Sequence, residues 1–137
     1  MSEYSQFETE LKVRPDDIDM NRHVHNSKYL DYVLAARFDQ MTRCYKMSME
    51  EFLNQNLSWF VKEAYIEHKR QLMMGDDVLV RTQVAEIYKR GVKVNFEIIR
   101  KETGKVSASG WFNYLMVYAD SGKPAVLTDE IIKKYSV

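Results

Sequence analysis

Apolar residues along this chain change their spacing twice, and the changes mark out its elements. Phe7 to Val13 reads as a strand closed by Arg14-Pro15, because the residue before a proline is held extended and proline offers no N–H. From Ser27 to about Tyr45 the spacing turns helical. The block Tyr29-Leu30-Asp31-Tyr32-Val33-Leu34-Ala35-Ala36 is apolar almost all round, with Asp31 its only charge. A helix of that kind is expected to be buried on every side. Asn26, whose short amide can accept from the first free N–H groups, is the predicted N-cap. A second, short helix is predicted from Ser48 to about Asn54–Asn56, with Ser48 and Glu51 at the spacing of a capping box.

From Leu57 onward the period is two. Val92, Val94, Phe96 and Ile98 alternate with Lys93, Asn95 and Glu97, which predicts a strand with one dry and one wet face. Val78 to Tyr88 precedes it across the Arg90-Gly91 turn, and Val106 to Tyr118 follows it across Glu102-Thr103-Gly104-Lys105, as antiparallel hairpins. The last strand puts Val106, Ala108, Phe112, Tyr114, Met116 and Tyr118 on one face, and Trp111, Leu115 and Val117 on the other. Both faces want cover, one from the central helix, the other from a second subunit or a terminal segment of the same chain. A short helix from Thr128, its predicted N-cap, to about Tyr135 closes the chain. The order is strand, polar loop, long helix, short helix, then four strands joined by tight turns. This is the α+β class, in which one curved antiparallel sheet can wrap one helix.

With 137 residues the chain is expected to be a single domain. Twenty basic and twenty acidic residues leave no net field to draw nucleic acid or an anionic membrane, so an anionic ligand would need a local basic patch. No apolar run approaches the roughly 18 residues that span a bilayer. The start of the chain lacks the pattern of a secretory signal, and the lone Cys44 has no internal disulfide partner, so a cytoplasmic setting is expected. Cys44 itself reads as a small buried side chain.

The candidate chemistry lies between Asp16 and Tyr29, which hold Asp16, Asp17, Asp19, His23 and His25 just before the long helix. The amino end of a helix presents unpaired N–H groups and a partial positive charge to a carbonyl or anion. Asp17-Ile18-Asp19-Met20-Asn21 opens like a calcium loop, but the sixth position is Arg22 where glycine is required, and the twelfth is Lys28 where a bidentate glutamate is required. His23-Val24-His25 lacks an identifiable third ligand for a transition metal. No metal or other cofactor is therefore expected.

The run Asp17-Ile18-Asp19-Met20-Asn21-Arg22-His23-Val24-His25-Asn26-Ser27-Lys28-Tyr29-Leu30 resembles the loop that enters the central helix of the hotdog-fold thioesterases, the group related to 4-hydroxybenzoyl-CoA thioesterase and the acyl-ACP thioesterases. Leu72-Met73-Met74-Gly75-Asp76-Asp77-Val78-Leu79-Val80-Arg81-Thr82 is similar to the turn that opens the family's following strand, and the element order matches over essentially the whole chain. The resemblance implies a hotdog fold that hydrolyses an acyl-CoA or acyl-ACP thioester, in a homodimer or homotetramer whose subunits share their sites. It places the catalytic carboxylate on Asp19, with Asn21 and His23 as its neighbours, while Asp17 falls on a loop position. Such a carboxylate can take a proton from attacking water or attack the carbonyl itself. Asn26 and Tyr29 stand at the helix entrance as substrate-side residues that also suit a cap and a packing role. Lys89 and Arg90, with Lys93 near by, are candidates for CoA phosphates or a solvated turn. Where the plant acyl-ACP branch uses a glutamate this chain has Gln71, with Glu67 offset, and His68 reads as a half-exposed structural histidine. A hotdog hydratase is the alternative enzyme, although its Gly-Asp-x-Asn-Pro run is missing, and a non-catalytic acyl-thioester-binding module is the alternative from a different class.

Overall fold

Five strands form one antiparallel sheet in the order β1-β3-β4-β5-β2, so β2 and β3, neighbours in sequence, lie apart in space. The computed structural model describes residues 4–137. In chain order it has β1 (Gln6–Lys12), a 3-10 turn (Pro15–Asp17), α1 (Asn26–Arg43), α2 (Met49–Asn54), β2 (Leu57–His68), β3 (Asp77–Ile87), β4 (Gly91–Arg100), β5 (Lys105–Tyr118) and α3 (Asp129–Tyr135). The expectation of four strands joined throughout by tight turns is corrected at β2–β3. There the segment 69–76 crosses the sheet, because β5 takes β2 as its second partner and β3 pairs with β1 and β4. The curved sheet with one long helix is otherwise the α+β arrangement predicted.

α1 docks on the sheet through Tyr29, Val33, Ala36 and Gln40, a stripe at helical spacing whose members are all at most 1% exposed. They meet Val80, Val94, Phe96, Ile98 and Phe112, the inward residues of alternating strands. Polar pairs fix the helix along β1. Gln40 donates to Thr9 Oγ1 at 3.1 Å and accepts from the Thr82 hydroxyl, while Arg43 reaches the Glu8 carbonyl at 2.7 Å.

Two expectations about α1 are corrected. The helix is not buried all round: Leu34 is 41% and Phe38 60% exposed on its outer side, because the sheet of one chain covers a single face. Nor is Asn26 the N-cap. His25 holds that position, its Nδ1 accepting from the Ser27 N–H at 3.2 Å, and Asn26 is the first helical residue. Ser48 and Glu51 do form the capping box of α2, and Thr128 caps α3. Cys44 ends α1 half-buried.

The outer face of β5 has a divided fate. Val117 is covered from within the chain, where it bridges Pro124 and the Ala125 N–H donates to the Met116 carbonyl at 2.9 Å. Trp111 and Leu115 remain half-exposed, with Tyr65 stacked on Trp111 at 6.0 Å. The sheet has two edges, β1, which α1 flanks, and β2, where every residue from Phe60 to His68 except Ile66 is exposed.

Candidate active site

The loop between β1 and α1 doubles back on itself at Asp19. The Asp19 N–H donates to the His23 carbonyl at 2.9 Å, and the Arg22 N–H to the Asp19 carbonyl at 3.1 Å, with Ile18 bridging Val24. Arg22 closes this turn at φ 66°, the left-handed region. Its position is the one where the failed calcium pattern required glycine. Asp19 Oδ1 accepts from the Asn21 N–H at 2.8 Å and the His23 N–H at 3.2 Å. Asn21 and His23 therefore meet Asp19 through main-chain N–H groups and not through their side chains. The half-buried carboxylate keeps Oδ2 out of these bonds.

Asp17 is set apart from Asp19 by its surroundings. Its side chain is fully buried; Oδ2 accepts from the Tyr32 hydroxyl at 2.7 Å and the Arg14 N–H at 3.2 Å, and the Arg14 guanidinium lies 3.5 Å from Oδ1. Burial alone pushes this carboxyl up, but the Tyr32 hydroxyl and the two Arg14 contacts outweigh it and hold the group below the usual carboxylate range. Its carbonyl accepts from the His25 N–H at 2.9 Å, tying the loop to the cap of α1. Asp17 is an anchor, whereas Asp19 is half-exposed.

The second segment singled out in the sequence lies against this loop. The Val24 N–H donates to the Leu72 carbonyl at 2.8 Å, the Val13 N–H to the Asp76 carbonyl at 3.0 Å, and His23 bridges Met73. Tyr29, 1% exposed, accepts from the Leu72 N–H at 3.1 Å and packs its ring edge-on to His68 at 4.8 Å. Burial, then the charges of Asp76 and Asp19, push the Tyr29 hydroxyl up. Tyr29 is thus a neutral strut between the two segments. At the helix start His25 takes the Ser27 and Lys28 N–H groups, and the Asn26 N–H finds no acceptor among the described residues.

Other sequence candidates fall elsewhere. Lys89 and Arg90 sit on the β3–β4 hairpin, and β3 separates them from the Asp76 end of the site by about 30 Å at roughly 3.3 Å per residue. Lys93 stands over the Trp111 ring at 5.1 Å. His68 is exposed near the end of β2, with one side of its ring against Tyr29. Gln71 is exposed beside a hollow with Arg70, Arg100 and Lys105, at the same end of the sheet as Asp19. This basic patch escaped sequence reading because its members come from three separate segments. Among the described residues no three potential ligands converge as a metal centre.

Two further residues were missed. Tyr32 lies in a block that reads as apolar, yet its hydroxyl fixes Asp17. Arg37 is 6% exposed inside the helix–sheet interface. Continuing the buried stripe Tyr29, Val33, Ala36 by one residue would have shown a cation on the inner side of α1.

A family model described as the thioesterase-like superfamily matches residues 13–134. The long-chain acyl-CoA thioesterase FadM of Escherichia coli K12 is 22% identical over 127 residues, covering 93% of this chain and 95% of FadM. Among solved structures, the DHNA-CoA thioesterase of Staphylococcus aureus superposes with a TM-score of 0.89 at 20% identity, over 96% of this chain and 89% of that one. The 1,4-dihydroxy-2-naphthoyl-CoA thioesterase Slr0204 of Synechocystis gives 0.85 at 17% identity, over 96% of both chains. These structures share the hotdog fold described above.

Proposed function

Since the chain belongs to the thioesterase-like superfamily, we propose that it hydrolyses an acyl-CoA to the free acid and CoA, with Asp19 as the working carboxylate. The observation that carries this reading is the contrast between the two aspartates of the loop. Asp17 spends its oxygens on Tyr32 and Arg14, whereas Asp19 is half-exposed and oriented by two N–H groups on a single oxygen. The other oxygen takes the proton of a water attacking the thioester carbonyl, or itself attacks that carbonyl to give an anhydride that water then opens. Both routes consume one water and release one acid and one thiol. The free Asn26 N–H, at the positive end of α1, suits the oxygen that gains negative charge, and a lost donor of that kind typically costs about 3–4 kcal/mol.

CoA is the carrier proposed ahead of acyl carrier protein, because the relatives described above are named for CoA thioesters. Arg70 and Lys105, at the Asp19 end of the sheet, suit its phosphates within one chain. Lys89 and Arg90 reach a phosphate only in a site completed by a second subunit.

Incubation with a panel of acyl-CoAs, read as free thiol by a colorimetric reagent, tests the proposal. Release should fall by about a hundredfold or more in Asp19→Asn and stay within about tenfold of the parent in Asp17→Asn, which keeps an acceptor for Tyr32. Release unaffected by Asp19→Asn removes the assignment. Saturable binding without turnover identifies an acyl-binding module, and hydration of an enoyl-CoA without thiol release identifies a hydratase.

A further inference from the structure

Arg37 is a buried cation without an acid. Its guanidinium lies 5.2 Å from the Tyr45 ring and 5.7 Å from the Tyr114 ring, and it forms no ion pair among the described residues. Burial alone would lower its proton affinity, but the tyrosines around it more than offset this and it stays charged. Arg37 Nη1, Trp59 Nε1 and the hydroxyls of Tyr45, Tyr114 and Tyr135 are all buried without a hydrogen-bond partner. Guanidinium and indole nitrogens can only donate; the tyrosine hydroxyls beside them can accept, but none carries the negative charge that would balance Arg37. A buried charge is ordinarily paired with an opposite one.

Three of these groups border a cavity. Between α1 and β2 lies a pocket of about 180 Å³ that Arg37, Trp59 and Tyr114 line together with apolar Leu34, Phe38 and Val61. An apolar-walled space with a cation and further donors in its lining matches one ligand chemistry: a hydrocarbon body ending in an acceptor-rich anion. A carboxylate fits the planar guanidinium in particular, because its two oxygens accept from the parallel N–H groups.

We propose that this pocket binds an apolar ligand through a terminal carboxylate seated on Arg37. The carboxylate has two possible sources: a free aliphatic acid, or the far end of an acyl chain that carries a second carboxyl group. Only the latter rests on the thioesterase reading.

Calorimetric titration of the intact protein with decanoate and with decanol, the same chain without the charge, tests the site directly. Decanoate is expected to bind at least about tenfold more tightly, and Arg37→Met to abolish that preference while leaving decanol binding in place. Equal binding of the two, or a preference that persists in Arg37→Met, overturns the proposal. If Arg37→Met proves unfolded by circular dichroism, Leu34→Trp decides, since it fills the pocket from the outer side of α1. Loss of decanoate binding in that variant supports the site, and unchanged binding overturns it.

A second arm separates the sources by comparing decanoyl-CoA with the mono-CoA thioester of decanedioic acid. A lower KM for the dicarboxylic thioester that disappears in Arg37→Met assigns the carboxylate to the acyl chain. Competitive inhibition by decanoate, with no gain for the dicarboxylic thioester, assigns it to the free acid. Should neither thioester be hydrolysed, the thioesterase reading fails while the titration still decides the pocket.

Discussion

The Tyr32 hydroxyl donates to Asp17 Oδ2 across 2.7 Å, and this bond fastens the loop that carries Asp19 to the helix that follows it. A single residue, Ile18, separates the anchored carboxylate from the one proposed for the reaction, so a shift at Asp17 moves Asp19. Tyr32→Phe removes the strongest partner of a fully buried charge while preserving the ring. It is expected to cost about 1.5–3 kcal/mol in urea unfolding, the range for a hydrogen bond to a charged group. Thiol release should fall mainly in kcat, because Asp19 loses its placement and not its chemistry. An unchanged urea midpoint would mean that Arg14 alone holds Asp17.

The same carboxyl gives stability a pH dependence. Its folded-state pKa lies below the ordinary value of 3.8, so the unfolded chain binds the proton more readily than the native one. The stabilisation is complete above the unfolded value and is lost as pH falls from there through the folded pKa. Urea midpoints measured from pH 6 downward are therefore expected to decline below about pH 4, and Asp17→Asn should flatten part of that decline. A variant with the same acid slope as the parent would show that other carboxylates govern it.

Replacing the residues at the start of α1 distinguishes cap from first helical residue. His25 Nδ1 accepts from the Ser27 N–H, whereas the Asn26 side chain is exposed. His25→Ala should lower stability by about 0.5–2 kcal/mol, the usual range for a lost cap. Asn26→Ala should change it by less than about 0.5 kcal/mol, as at ordinary surface positions. The reverse order in thermal or urea unfolding would restore Asn26 as the cap.

Gly110 is required by the close approach of β5 to β2. A Cβ there would collide with the main-chain carbonyl of Tyr65, an atom that cannot turn aside as a flexible side chain does. Gly110→Ala is expected to destabilise by about 1–3 kcal/mol, as overpacking does, and to loosen β2 before the rest of the sheet. Faster amide exchange in residues 63–68, with β3 and β4 unchanged, is the specific signature.

Much of this structure was legible because local pattern and global packing agree. Val92, Val94, Phe96 and Ile98 alternate in the sequence and all face the core; Ser48 and Glu51 form the capping box that their spacing promises. Asp19 could be proposed from sequence because its motif lies on one loop, where sequence distance and spatial distance are nearly the same. The failures share a different cause. The place of β2 at the far edge depends on which strand β5 prefers as its second partner, and no local period encodes that choice. Asn26 lost the cap to His25 because imidazole Nδ1 can do the work of a short amide oxygen, a possibility outside the usual residue preferences. Arg37 was invisible because a cation in a helix reads as surface until the stripe of its buried neighbours is followed past it.

The edge strand carries the last prediction. β2 offers an unpaired row of main-chain groups along its outer side, and Phe60, Val61 and Tyr65 are 56%, 36% and 50% exposed beside the equally uncovered Phe38 of α1. Lys62, Glu63 and Glu67 are charges along this edge, but no proline or covering segment among the described residues blocks it, and its exposed Phe60, Val61 and Tyr65 invite pairing with another strand. The same strand in a second copy satisfies it under two-fold symmetry, since antiparallel self-pairing brings each residue's counterpart into the complementary position. Such pairing would cover Leu34 and Phe38 and bring the Lys89–Arg90 hairpin of one subunit toward the site of the other. A mass measurement in solution is expected to give a dimer or tetramer, and Val61→Lys to shift it toward the monomer, because like charges placed opposite each other oppose the pairing. Thiol release should fall with dissociation and recover as protein concentration rises. A parent protein that stays monomeric at high concentration and is fully active would show that each chain completes its own site.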